Sequence, residues 1–281
     1  MHGDGTNGST TITDHSPAAR AVTAVGGAQI STAQSKFGGA SIALDGSGDY
    51  LTVPHSSDFS IQGGDFTLEA WVRRAASGTL HYIMSKRAAS ASNGWEWRIN
   101  AANTLQFFHT AGSSVTSSGT VASGQWVHVA AVRSGSTVTL YIDGAGSGSA
   151  TFTDGTENTA DTLKIGCDNA LSNAFNGHMD DIRITKGVAR YTSSFTPPTS
   201  AFQNHMGEVA GVIRDDADAV CARTVRLYRR DTGALLDSTT SDAGTGAYLL
   251  KAPSLDEANV VVLDDSGGTF YNDLIHRVIP A

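Results

Sequence analysis

Apolar and polar residues alternate with a period of two along much of this chain, as they do in β-strands, whose successive side chains leave by opposite faces. The clearest stretch is residues 125–144, QWVHVAAVRSGSTVTLYIDG. Trp126, His128, Ala130 and Val132 fall on one face, and Val127, Val129 and Ala131 on the other. Val138, Leu140 and Ile142 then alternate with Thr139, Tyr141 and Asp143. Ser134-Gly135-Ser136 between the two runs predicts a hairpin. Both faces of its first strand are largely apolar, so that strand is expected inside layered sheets, with Trp126 as an anchor whose loss unfolds the domain. Further strands are predicted at 41–44, 50–53, 66–73, 82–86, 95–99, 105–109, 162–165 and 178–184. No amphipathic pattern supports a helix longer than a turn or two.

The texture changes at residues 193–202, SSFTPPTSAF. Pro197-Pro198 cannot continue a sheet interior and favours an extended linker or a wrapping arm. A second strand series follows at 209–214, 224–230, 234–239, 247–251, 259–263 and 274–278. The expected organisation is therefore a β domain over 1–202, a linker over 203–207 and a small β-sandwich over 208–281. Composition agrees: 16% of residues are charged and 31 are glycine, which suits many short strands and turns. The net charge of −8 argues against non-specific nucleic-acid binding and against adsorption to anionic membranes. No run approaches the roughly 20 apolar residues of a membrane span, so membrane insertion is not expected. Cys167 and Cys221 fall in different parts of the chain and read as ordinary thiols.

Five segments in order carry a family pattern: FGGASIALDGSGDYLTV (37–53), DFTLEAWVR (65–73), the hairpin at 125–144, LKIG (163–166) and FNGHMDDIRITKGVARY (175–191). With them, residues 1–202 resemble the laminin-G-like branch of the concanavalin A-like lectin/glucanase jelly rolls. The version ending RITKGVARYTSSFTPPTSAF is similar to copies found in bacteriophage virion proteins. GVIRDDADAVCARTVRLYRRDTGALLDSTTSDAGTGAYLL (211–250) resembles the small transthyretin-like, or carboxypeptidase-regulatory-like, sandwiches. The resemblance implies an all-β fold, a two-sheet antiparallel jelly-roll sandwich followed by a small β-sandwich domain. It also implies a virion location with assembly in the host cytoplasm, other virion proteins and a host-surface glycan as partners, and an oligomeric or multi-copy state.

Candidate chemistry is sparse. Sugars stack on exposed aromatic rings while amides and carboxylates take their hydroxyls. Tyr82, Asn93, Trp95 and Trp97 supply such groups, although Trp95, Trp97 and Ile99 share one strand face and at least two of these are expected in the core. Asn169 and Asn173 form a second polar loop. The family resemblance implies a structural calcium at Asp4 with Asp180 or Asp181, helped by carbonyls near 46–48; the competing reading is that these aspartates satisfy loop N–H groups. Glycoside hydrolysis needs two carboxylates flanking the bond. Glu69 stands alone on its strand and Glu96 lies between Trp95 and Trp97, so no catalytic residue is assigned. The expected function is a non-enzymatic virion structural protein of tail-fibre, adhesin or capsid-decoration type. A soluble carbohydrate-binding lectin is the alternative, and a glycoside hydrolase the third reading.

Overall fold

The computed structural model describes residues 1–281 apart from 17, 88–93, 110–112, 153–159, 203–206, 216, 230–234, 253–257, 264–272 and 279–281. Met1–Phe202 forms one compact unit and Gln203–Ala281 another. The first contains β1 (Thr23–Val25), β2 (Gln29–Ser31), β3 (Ser41–Asp45), β4 (Tyr50–Val53), β5 (Phe66–Arg74), β6 (His81–Arg87), β7 (Gly94–Ile99), β8 (Thr104–His109), β9 (Ser114–Thr120), β10 (Val127–Ser134), β11 (Thr137–Ile142), β12 (Ala145–Thr151), β13 (Leu163–Ile165) and β14 (Asn176–Lys186). They build two seven-stranded antiparallel sheets, β1-β4-β13-β6-β7-β8-β9 and β12-β11-β10-β5-β14-β3-β2. This is the expected all-β jelly-roll sandwich.

The alternation in the sequence becomes the two sides of each sheet. Leu51, Val53, Leu163, Ile165, Trp95, Trp97, Leu105 and Phe107 of the first sheet meet Leu68, Ala70, Val72, Val127, Val129, Ala131, Val138 and Leu140 of the second in one core. The hairpin at 125–144 is β10–β11, paired from Val129–Ile142 to Ser134–Thr137, with β5 on the other side of β10. Trp126 is a correction to the sequence reading: it precedes β10 and is only half-buried, so the valines hold the hairpin in place.

The second apolar face of β10 has its own cover. Residues 187–202 leave β14 and run as an arm over the outside of the second sheet. Thr67 Oγ1 donates to Val188 O (2.9 Å) and accepts from Arg190 N (3.0 Å). Tyr191 and Phe195 stack, with ring centroids 3.5 Å apart, and pack on Ala130, Val132 and Tyr141. Phe195 N donates to Gly144 O (2.9 Å). Gly144 has φ +76, and a Cβ there would lie 1.9 Å from Phe195 O, so only glycine lets the arm cross this turn. Phe195→Ala, by removing the stack, is expected to cost about 1–2 kcal/mol and to open the arm to limited proteolysis. An unchanged digestion pattern would show that the arm is held without it.

The second unit has a two-stranded sheet of β15 (Gly207–Val212) and β18 (Ala247–Ala252). It also has a four-stranded sheet ordered β17 (Leu235–Thr240), β16 (Thr224–Arg229), β19 (Ala258–Leu263) and β20 (Asp273–Val278). Its core is Val209, Ile213, Val225, Leu227, Tyr248, Leu250 and Val260.

Candidate functional site

The outward side chains of the first sheet form a row that takes one residue from each of its seven strands. Cross-strand pairing runs Thr23, Thr52, Lys164, Ser85, Glu96, Phe108 and Ser114. A second row, two residues along, runs Tyr82, Arg98, Gln106 and Thr116. Thr52, Glu96, Arg98, Gln106 and Lys164 each lie between two core residues in sequence, Lys164 between Leu163 and Ile165. The core thus fixes which way these polar groups point.

Hydrogen bonds run along the second row, and Glu96 ties it to the first. Arg98 Nη1 donates to the Tyr82 hydroxyl (2.7 Å) and Arg98 Nε to Gln106 Oε1 (3.2 Å). Gln106 Nε2 donates to Thr116 Oγ1 (3.0 Å). Glu96, 4% exposed, has Arg87 at 3.2 Å and Arg98 at 3.7 Å, and accepts from Tyr82 at 3.4 Å. Burial and the Glu96 carboxylate raise the Tyr82 phenol above its ordinary pKa, against the pull of Arg98. Arg87 lies over the Phe108 ring, 5.4 Å from its centroid. The result is a polar, aromatic and donor-rich surface with pre-set side chains.

One loop borders this surface. Asp168 accepts from Ser172 N (2.7 Å), Ser172 Oγ (2.8 Å) and Asn173 Nδ2 (2.7 Å). Asn173 O accepts from Tyr82 N (3.4 Å), and Asn169 Oδ1 accepts from Lys164 Nζ (3.0 Å). Of the candidates named from sequence, Tyr82, Asn169 and Asn173 therefore come together at one end of the face. Trp95 and Trp97 do not: both are 0% exposed and point into the core, so neither ring offers a stacking face. Alternation puts Glu96 and Arg98 on the outside in their place. Asn93 lies outside the described residues. Ser85, Gln106, Phe108 and Lys164 were not singled out from sequence, although each is an outward position on a predicted strand.

The outer face of the second sheet holds a buried charge cluster instead. Glu69 is 0% exposed. Arg183 Nε and Nη2 each approach its Oε1 at 2.8 Å, and the Tyr191 hydroxyl donates to its Oε2 (2.8 Å). His128 Nε2 lies 3.4 Å from Oε2 without hydrogen-bond alignment. Burial alone would raise the Glu69 pKa, but His128 and Arg183 hold it at about 2. This carboxylate fastens the arm.

The implied calcium ligands do not fit a cation. Asp180 Oδ1 accepts from Gly3 N (3.0 Å) and Asp181 N (2.9 Å), and its Oδ2 from Lys36 N (3.3 Å) and Phe37 N (3.2 Å). Four N–H groups use the roughly four lone-pair sites of a carboxylate. Asp181 contacts His2 Nδ1 and accepts from Phe202 N (2.8 Å). Asp4 is exposed. Calcium would require breaking these bonds, and no group of three or more metal-binding side chains occurs among the described residues.

Residues 45–190 match the Laminin_G_3 family, described as the Concanavalin A-like lectin/glucanases superfamily. No curated protein sequence matches the chain. Among solved structures, domain 4 of AbnA, a GH43 extracellular arabinanase from Geobacillus stearothermophilus in complex with arabinotriose, is 18% identical with a TM-score of 0.45. That match covers 61% of this chain and 84% of the other. The binding domain of botulinum neurotoxin serotype C1 is 12% identical with a TM-score of 0.47, covering 93% of this chain and 70% of the other.

Proposed function

The chain belongs to the concanavalin A-like lectin/glucanases superfamily, and from that premise we propose that it is a non-enzymatic glycan-binding module. The observation that carries this reading is the contrast between its sheets: one outer face lies under the arm, the other presents Arg98, Gln106, Phe108 and Lys164, with the buried Tyr82 phenol bonded to Arg98. A pre-ordered row of donors beside aromatic edges suits saccharide hydroxyls and the apolar faces of sugar rings. Binding rather than hydrolysis is favoured by the state of the two strand glutamates. Glu69 is sealed beneath Tyr191, and Glu96 is held by two arginines and a phenol, which leaves neither as a general acid.

The setting we propose is a bacteriophage virion, as a structural, adhesin or decoration component, supported by the resemblance of residues 183–202. Display in many copies would matter there, because avidity raises a weak site by about 10²–10⁴ without a new contact. A glycan array with multimerised protein, followed by calorimetry on the best binder, tests the site. Arg98→Ala is expected to weaken binding at least tenfold while costing about 1–2 kcal/mol of stability, because Arg87 still faces the buried Glu96. Silence across the array refutes the glycan reading. Locating the chain in purified particles tests the setting.

A further inference from the structure

We propose that Lys164, Ser85 and Arg98 form a subsite for an anionic group on the saccharide, a carboxylate or a sulfate; this rests on the glycan-binding reading above. Ser85 is the starting point. It is 0% exposed, and its Oγ has no hydrogen-bond partner. Buried hydroxyls in native structures are nearly always paired, so an orphan asks for an explanation. Ser85 lies on the outer face with Lys164 opposite on β13 and Glu96 opposite on β7. Its hydroxyl is thus set beneath the surface where the two rows run.

The uncommitted groups on this face are donors. Lys164 Nζ carries three donors and uses one, to Asn169 Oδ1 (3.0 Å); among the described residues it has no carboxylate within ion-pair distance. Arg98 engages Tyr82 through Nη1 and Gln106 through Nε, and its Nη2 makes no hydrogen bond among the described residues. The nearby acceptors are taken. Glu96 is matched by Arg87 (3.2 Å) and Arg98 (3.7 Å), and Asp168 by Ser172 and Asn173. A neutral sugar hydroxyl asks a site for both donors and acceptors, whereas a carboxylate or sulfate accepts only. A place with an uncountered ammonium, a spare guanidinium N–H and an orphan hydroxyl fits the second kind of group. It stands out in a chain whose net charge is −8.

The test uses the full chain and two matched probe pairs. One is a galacturonic acid oligomer and its methyl ester; the other is a sulfated galactan oligomer and its unsulfated parent. The charged member of at least one pair is expected to bind at least tenfold tighter than its neutral partner. Which pair responds separates carboxylate from sulfate. Lys164→Gln should abolish that preference with its melting temperature unchanged. Ser85→Ala should weaken the charged ligand several-fold while leaving the protein at least as stable, an outcome that a structural role for the hydroxyl would not give. Equal binding within both pairs, or a preference that survives Lys164→Gln, overturns the subsite and leaves the glycan reading standing. Silence from all four probes, with only neutral saccharides bound on the array, also overturns the subsite alone. No binding to any saccharide removes both.

Discussion

Glu69→Ala is expected to lower the stability of the first unit by about 3–5 kcal/mol, the usual cost of breaking a buried ion pair from one side. The substitution strands the Arg183 guanidinium and the Tyr191 hydroxyl, both now 2.8 Å from the carboxylate. It also unfastens the arm, so the loss should appear in denaturant melts and as faster cleavage within residues 187–202. The same group dictates an acid response. Its pKa falls from 4.5 to about 2 on folding. A carboxylate depressed in this way stabilises the fold fully above its unfolded pKa, and that contribution drains away as pH falls from about 4.5 through 2. At about 1.4 kcal/mol per pKa unit the amount is on the order of 3 kcal/mol. Glu69→Gln should flatten the stability profile across that window; a variant that keeps the wild-type slope there would place the acid sensitivity elsewhere.

Trp95→Ala is expected to cost a further-reaching 3–5 kcal/mol, roughly the price of deleting a large buried aromatic. Its ring is 0% exposed, its Nε1 donates to Phe59 O (2.9 Å), and Phe107 lies beside it at 6.4 Å between centroids. Loss of a carbonyl partner and an unfilled cavity act together. Trp126→Ala, at a half-buried position outside the strand, should cost clearly less. Urea denaturation of the two variants side by side gives the ranking. A Trp95→Ala protein with native stability that had lost only glycan binding would return this ring to the ligand surface.

The strands were legible because alternation is a local property: β5, β10 and β11 follow from their own residues. What alternation cannot give is what covers a face. The apolar outer side of β10 signals layered sheets, yet half of that signal belongs to an arm some 60 residues later in the chain. The Trp95–Trp97 pair shows the same limit from the other side. Their shared face was visible, but only the packed sheets decide that it is the core and that Glu96 and Arg98 are outside. The polar row was out of reach because its members come from residues 23 to 164 and are joined only by sheet order. The surroundings of the aspartates were out of reach for a further reason. Backbone N–H groups claim Asp180, and no residue pattern reveals where an amide will point.

The sheet order also governs how copies of this unit behave when crowded. An edge strand is a template for pairing with another chain. Here β1 and β2 are only three residues long, and the outer side of β2 is occupied, since Gly8 N donates to Ile30 O and Ile30 N to Ser9 O, both at 2.8 Å. At the opposite end β9 and β12, the edges of different sheets, close on each other through Gly119 N and Ser147 Oγ (2.9 Å). Both are rich in serine, glycine and threonine, with little apolar surface to attract a neighbour's strand. None of these edges therefore offers a long apolar strand for another chain to extend.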